Sequence, residues 1–365
     1  MTTVCISVDT IGYPEGGGYF WCYLNWALGL RALGCEVVWL EGLDGRAVRQ
    51  SVPSLRTRLE PYGLAESIAL WEWGGADVQA GDSHRGLEAA TGADLLLNFR
   101  YDVPEEVVRR FRRSALVDDD PGLLQMWLRA GEIAVAQHDL YVTTGENVDT
   151  LDPDRVWLPA SPCVALDWWQ PEEPDADAAF TTLSHWHGEE WFEDGEILFR
   201  NDKRSGFLPY LDLPSCTRQP LELALLLADE EAAEREELEA LGWRITNPHD
   251  VARTPWDYQR YVTSSLGEFS CAKPSTVFLG NAWVSDRTVC FLAAGKPAIV
   301  QHTGPSNFLP GAEGMWRFRT PDEAARYLDA VAADYDHQCR LAHELAEERF
   351  DAHRILSRLL SQAID

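Results

Sequence analysis

The first 45 residues alternate in a way that few folds permit. Val4-Cys5-Ile6-Ser7-Val8 is a short apolar run of strand character, Gly16-Gly17-Gly18 breaks it, and Phe20 to Leu33 carries helical apolar spacing that stops at Gly34. Glu36-Val37-Val38-Trp39-Leu40 then resumes as a strand. A strand, a crossover helix and a second strand form a parallel pair, and parallel sheets are covered by helices on both faces, so the chain opens as an α/β protein.

The alternation continues. Asp94 to Asn98, Ser114 to Val117 and Leu140 to Thr143 read as strands, with a helical stretch from Pro104 to Arg113 between two of them, which predicts one doubly wound domain. Residues 150–178 collect Pro153, Pro159, Pro162, Pro171 and Pro174 among acidic residues and read as an interdomain linker. A second series follows: a strand at Phe180 to Leu183, a helix at Leu221 to Leu241, a strand at Trp243 to Ile245, a helix at Tyr258 to Ser265 and a strand at Glu268 to Cys271. Ser285 to Ala294 reads as a helix closed by Gly295 and Pro297, Ala298 to Gln301 as a buried strand, and Asp322 to Ala363 as nearly continuous helix. A chain of 365 residues, at about 150 per domain, also suggests two domains.

Charge restricts the partners. With 59 acidic and 31 basic residues the net charge is -28, a field that repels phosphate backbones and anionic lipid surfaces. Nucleic acid is not an expected partner, and Arg109, Arg110, Arg112 and Arg113 read as a solvated helix face. The N-terminus lacks the pattern of a signal peptide, and no apolar run approaches the roughly 18 residues of a membrane span, so a cytoplasmic protein without membrane insertion is expected. Eight cysteines stand singly, without a C-x-x-C pair, as reduced core residues do.

Several constellations could carry chemistry. Gly16, Gly17 and Gly18 precede a helix, whose free N–H groups favour a phosphate or an acceptor there, although a tight turn without a ligand is the plainer reading. A dinucleotide fingerprint would need a small residue where Trp21 stands, while Glu41, ending the next strand, occupies the place of a ribose-binding acid. Asp118-Asp119-Asp120, followed by Pro121-Gly122, closes a strand where open α/β sheets place their ligand crevice and could supply a base or hold a cation, or simply cap a turn. His185-Trp186-His187-Gly188-Glu189-Glu190 sets two imidazoles near a strand end without an evident third metal ligand. The richest stretch is Asn281 to Gly304. There Ser285-Asp286-Arg287 opens a helix, and His302-Thr303-Gly304 returns to the same sheet edge, so helix N–H groups and the Arg287 guanidinium are directed at one anion site.

The order helix, Ala-x-Gly-Lys-Pro, apolar strand, polar loop resembles the donor-binding half of two-domain glycosyltransferases of the GT-B fold. Within that superfamily the chain is most similar to a bacterial group sharing a triple-glycine loop (Gly16 to Gly18), an Asp-Pro-Gly turn (Asp120 to Gly122), a Glu-Phe-Ser-x-Ala-Lys segment (Glu268 to Lys273) and a Ser-Asp-Arg helix start (Ser285 to Arg287). The resemblance implies an α/β protein of two Rossmann-like doubly wound domains facing a central cleft. It places an acceptor-side domain at 1–165, a nucleotide-sugar-binding domain at 166–345 and a C-terminal helix at 346–365 that packs back on the first domain.

It further implies a nucleoside-diphosphate sugar as substrate, with no tightly bound cofactor and no metal, and a soluble small molecule or saccharide as acceptor. Lys203 or Lys273, with Arg287, would neutralise the leaving diphosphate; the plainer readings are a surface lysine for Lys203 and a Glu268 salt bridge for Lys273. Glu268, Ser285, Asp286, Thr303 and Gly304 complete the expected donor site, and Asp9, Glu15, Asp119 and Asp120 are the candidate bases. One departure stands out: Cys290 occupies the position where many GT-B enzymes hold the donor ribose with a glutamate, which leaves Glu268 or Asp286 for that role. Two other readings compete, a non-catalytic nucleotide-sugar or saccharide-binding protein of the same fold and a nicotinamide-dependent oxidoreductase built on the first glycine loop.

Overall fold

A computed structural model of the chain describes residues 1–43, 51–72, 76–77, 84–149, 151–188, 191–194, 197–228 and 231–364. Its backbone contacts divide into two compact units, Met1–Ala165 with Asp351–Asp365, and Leu166–Phe350.

In the first unit the parallel strands are β1 (Thr3–Val8), β2 (Glu36–Leu43), β3 (Ile68–Glu72), β4 (Leu95–Asn98), β5 (Ser114–Asp118), β6 (Leu140–Thr143) and β7 (Trp157–Pro159), in the order β3-β2-β1-β4-β5-β6-β7. The order reverses direction between β1 and β4, which opens a crevice outside their C-terminal ends. Helix α1 (Gly17–Ala32) leaves β1 and buries Phe20, Trp21, Leu24, Ala27 and Leu30. It is apolar nearly all round because the C-terminal helix Ala352–Ile364 also lies against it. The two helices meet at Gly29, where a Cβ would stand 2.5 Å from the Ala352 Cβ and 2.7 Å from the Leu356 Cδ1. Two hydrogen bonds hold the returning segment, Ala352 N to Val164 O at 3.0 Å and Arg113 Nε to Ala363 O at 3.1 Å.

Two expectations change in this unit. Only Glu105–Val108 of the stretch Pro104 to Arg113 is helical. The Arg113 carbonyl already accepts Leu96 N at 2.9 Å, so the chain must be extended by that point. The proline-rich stretch, read as a linker, contains β7; Trp157 is buried and donates to Asp152 Oδ2 at 3.0 Å, and an edge strand tolerates Pro159.

The second unit repeats the plan with β8 (Phe180–His185), β9 (Leu221–Leu226), β10 (Arg244–Thr246), β11 (Gly267–Ser270), β12 (Ala298–Gln301) and β13 (Met315–Phe318), all parallel in the order β10-β9-β8-β11-β12-β13. The reversal here falls between β8 and β11. The helix expected over Leu221 to Leu241 is a strand followed by a helix confined to Ala232–Ala240. Leucine, glutamate and alanine favour helix in isolation, but Leu221, Leu223 and Leu225 are buried in one cluster with Phe180, Trp243 and Phe269, and that burial overrides propensity.

Gly29→Ala tests the helix crossing. Alanine in a helix is worth up to about 1 kcal/mol over glycine, whereas forcing two packed helices apart costs about 1–3 kcal/mol. A net loss of stability is therefore expected, seen as a lower urea midpoint for the transition that includes the first unit.

Candidate functional site

The C-terminal edge of the second sheet is organised by one arginine. β8 and β11 pair at Phe180↔Gly267 and Thr181↔Glu268, and beyond that register Arg287 joins them. Its Nε donates to Glu268 Oε1 at 2.8 Å, Nη1 to Leu183 O at 2.8 Å and Nη2 to Ser270 Oγ at 2.7 Å, so the guanidinium links the two strands at the switch point. Arg287 lies in the first turn of helix α8 (Asp286–Ala293), whose N-cap Ser285 accepts Arg287 N through its hydroxyl at 3.2 Å. Glu268 is wholly buried and the Arg287 side chain is 12% exposed. Burial works against the guanidinium charge, but Glu268, Tyr258 and Asp286 together outweigh it and hold the Arg287 pKa above its ordinary value.

Arg287 and Glu268, which sequence reasoning directs at the donor, are thus turned on each other. Arg287 takes Glu268 Oε1, the acid that the plainer sequence reading gives to Lys273. Ser285 is a helix cap, and the Thr303 hydroxyl donates to Trp283 O at 2.7 Å. Gly304 has φ +126° and lies so close to Gly280 that a Cβ would stand 2.2 Å from its carbonyl oxygen, which only glycine allows. These residues clamp the loop after β12 to the loop before α8. A cavity of about 20 Å³ beside Ser270, Trp283, Ser285, Gln301 and Thr303 has room for a water molecule. Cys290 is buried on α8. Lys296, of the Gly-Lys-Pro turn, is buried too and donates to Glu172 O at 2.7 Å.

Lys203, Lys273 and Asp286 are half-buried polar residues of this edge. Lys203 opens a short helix (Lys203–Phe207) behind the N-cap Asp202, donates to Cys271 O at 2.8 Å and lies 5.7 Å from the centre of the Trp283 ring. Burial, then the charges of Arg287 and Lys273, push its pKa down to about 7. Lys273 is the N-cap of the helix Pro274–Leu279. His187 stands 3.0 Å from both Glu231 and Glu234, which gives it a local ionic role. Glu189 and Glu190 lie outside the described residues.

The C-terminal edge of the first sheet is acidic and tyrosine-rich. Asp9, just past β1, pairs with Arg100 Nη1 at 2.9 Å, and Arg100, just past β4, also holds Asp102 at 2.9 Å, so one cation bridges the switch point. Tyr101 donates to Asp118 Oδ1 at 3.2 Å and to Asp119 Oδ1 at 3.5 Å. Asp118 is wholly buried, takes Gln125 Nε2 at 2.7 Å and Thr143 Oγ1 at 3.0 Å, and is pushed up to about 6 by that burial. Asp119 is exposed, whereas Asp120 is half-buried and donates its N–H to Asp118 Oδ1 at 3.1 Å. The Tyr23 hydroxyl donates to Tyr19 at 2.9 Å, and both tyrosines feel the charge of Asp119. Glu15 is half-buried.

Gly16 has a local reason. A Cβ there would meet the Tyr13 ring at 2.2 Å, so the ring covers this part of the loop, while Gly17 and Gly18 begin α1. Glu41, the candidate ribose acid, accepts Thr10 N at 3.0 Å, Trp39 Nε1 at 2.9 Å and the Thr10 hydroxyl, and is wholly buried. It pins the β1 loop from below. Arg100, Tyr101 and Tyr19 were missed from sequence, and Asp118 was read there only as one of the acidic triplet. The first two immediately follow a predicted strand, and their importance emerges only once β4 is known to lie beside β1.

No family model matches the sequence, and no curated protein does. Solved structures do. A crystal structure of Anabaena Alr3699/HepE in complex with UDP and glucose superposes with a TM-score of 0.60 at 12% identity, covering 99% of this chain and 100% of that one. Sucrose-phosphate synthase from Thermosynechococcus elongatus gives 0.54 at 12% identity, covering 99% of each chain. An alpha-glucosyltransferase in complex with UDP and a 13-mer DNA gives 0.58 at 11% identity, again covering 99% of each. The chain has the GT-B fold. Its two Rossmann-like sheets with matching strand order are the two domains of that fold, as the sequence resemblance led us to expect.

Glu41 gives a pH test. Burial outweighs its hydrogen-bond donors and raises it to about 7 from 4.5. Between those values the folded chain keeps a proton that the unfolded chain gives up, so this carboxyl's contribution to stability falls as pH rises, by about 3 kcal/mol in all. Urea unfolding should show the wild type losing stability relative to Glu41→Gln between pH 5 and 7.

Proposed function

We propose that the chain is a glycosyltransferase that moves a sugar from a nucleoside-diphosphate sugar to a soluble small-molecule or saccharide acceptor. The observation that carries this reading is the pair of half-buried lysines, Lys203 and Lys273, set beside the N-terminus of α8 at the switch point of the second sheet. Open α/β sheets take their ligands at such points, and a diphosphate needs cations and helix N–H groups because charge grows on it as the glycosidic bond breaks. Three of the similar GT-B structures hold UDP with glucose, UDP, and UDP-glucose.

In this reading the second unit, centred on residues 166–345, binds the donor. Lys203 and Lys273 contact the diphosphate, and the half-buried Asp286 meets the ribose. Arg287, Glu268, Ser285, Thr303 and Gly304 form the frame that sets those contacts. The first unit takes the acceptor on the edge that carries Asp9, Tyr19, Arg100, Tyr101 and Asp119. Asp9 and Asp119 are accessible carboxylates of that edge and are the ones assigned to receive a hydroxyl proton. This favours a transferase over a non-catalytic binding protein. The saturation of Glu41 weighs against a nicotinamide site on the first glycine loop.

Two of the similar structures include DNA. A net charge of -28 makes a nucleic-acid acceptor unfavourable here.

Nucleoside diphosphates test the donor site. UDP, dTDP and GDP are to be compared by thermal shift, and the cognate one at about 100 times its Kd should add about 2.7 kcal/mol and raise Tm by several degrees. Lys203→Met and Lys273→Met should each lose most of that rise. No shift with any of the three would overturn the proposal. For the acceptor side, Asp9→Asn or Asp119→Asn should lower transfer by about 100-fold or more while the nucleotide-induced shift persists. A change below twofold in both would remove these residues as the base.

A further inference from the structure

The triple-glycine loop, which reads in sequence as a phosphate loop, makes room for a pair of tyrosines. At Gly16 a Cβ would stand 2.2 Å from the Tyr13 Cδ1 and 3.2 Å from the Tyr19 Cβ, so the missing side chain lets these two rings meet edge to face at 6.2 Å. Tyr19 lies in the first turn of α1. Behind it the rings continue inward, Tyr19 to Tyr23 at 5.2 Å, Tyr23 to Phe99 at 5.4 Å and Phe99 to Trp26 at 5.0 Å, each edge to face. Tyr23, Phe99 and Trp26 are buried, whereas Tyr19 is 36% exposed. The ladder is anchored in the core and ends at the surface in an ordered ring.

Three consecutive residues after β4 tie that ring to the acidic edge. Phe99 packs against Tyr23, Arg100 holds Asp9 at 2.9 Å, and Tyr101 donates to Asp118 at 3.2 Å and reaches Asp119 at 3.5 Å. The Arg100 side chain is largely buried and spent on Asp9 and Asp102, while the Asp9 side chain is 44% exposed and Asp119 is exposed. The edge therefore offers carboxylate oxygens that accept hydrogen bonds beside aromatic rings with apolar faces. A sugar ring carries the complementary groups, hydroxyl donors around its rim and C–H groups on its face.

Resting on the reading of this edge as the acceptor side, we propose that Tyr19, with Tyr13 beside it, is the platform on which the acceptor lies, and that the acceptor is a saccharide ring without acidic groups. Its C–H face stacks on the tyrosine, and its hydroxyls donate to Asp9 and Asp119. A carboxylated or phosphorylated sugar sets like charges against both aspartates and is refused. Burial above all, with the charges of Asp119 and Asp9 besides, pushes the Tyr19 hydroxyl up, so the phenol keeps its proton and adds no negative charge to the edge. In this arrangement Gly16 acts through the rings it admits.

The test uses the full chain and a panel of neutral methyl glycosides, the glucoside, galactoside and mannoside, each paired with its uronate. Binding is followed by saturation-transfer NMR and calorimetry, with UDP, dTDP or GDP present and absent. A neutral glycoside should bind, and its uronate at least about tenfold more weakly, with the gap narrowing in about 0.5 M salt. Tyr19→Ala should weaken the neutral glycoside about five- to tenfold, and Tyr19→Trp, which keeps a ring, should recover most of that loss. Gly16→Ala, which pushes the Tyr13 ring aside, should weaken it in the same direction; its circular dichroism reports whether the fold is kept.

A uronate bound as tightly as its neutral partner, binding that Tyr19→Ala leaves within about twofold, or a panel in which no neutral glycoside binds overturns the proposal. The glycosyltransferase reading survives each of these results when a nucleoside diphosphate still raises Tm. A neutral glycoside held on Tyr19 without any nucleotide-induced shift overturns the transferase reading instead, and supports the platform as the site of a saccharide-binding protein.

Discussion

The second sheet depends on a buried ion pair at its switch point. Arg287 bonds to a carboxylate, a backbone carbonyl and a hydroxyl drawn from β8 and β11, and so joins those strands beyond their shared register. Removing one partner of such a pair leaves a buried charge alone, at a cost of about 3–5 kcal/mol. Because Arg287 sits in the first turn of α8, the same bonds fix where that helix begins and where its free N–H groups point. The loop clamp of Ala282, Thr303, Gly280 and Gly304 then sets the other wall. The frame consumes the polar residues that look most functional in sequence.

The first sheet meets the same problem with different chemistry. Its switch point is bridged by Arg100, which holds Asp9 and Asp102, and the loop after β1 is fixed from beneath by Glu41. Here the framework cation is flanked by carboxylates, so the edge is left acidic. One fold thus carries a cationic edge and an acidic edge, and the proposed function draws on both. Both rest on buried acids, Glu268 and Glu41, whose role is to hold loops.

Much of the fold was legible because the local signals agreed. β1, α1 and β2 have the right periods, and Ser285 to Gln301 contains a capped helix, a glycine stop and a buried strand in unbroken order. The signal failed where local preference and burial conflict. Leu221 to Leu226 has the composition of a helix and becomes a strand because three of its leucines fill the space around Trp243 and Phe269. Arg109 to Arg113 looks like the continuation of a helix and is drawn straight by the ladder at β4.

By itself, the sequence determined the α/β class, the two doubly wound series, the GT-B resemblance and the stretches that hold the candidate residues, because strand and helix periods and turn residues are local properties. The tertiary structure alone decided which of those residues are spent on the fold. Ser285, Thr303, Glu268 and Arg287 are polar, and sequence cannot show whether a polar side chain spends its hydrogen bonds on a substrate or on its own fold; that is settled by partners such as Leu183, Ser270 and Trp283. Asp9 and Arg100 are 91 positions apart and meet only because β1 and β4 are neighbours at the switch point.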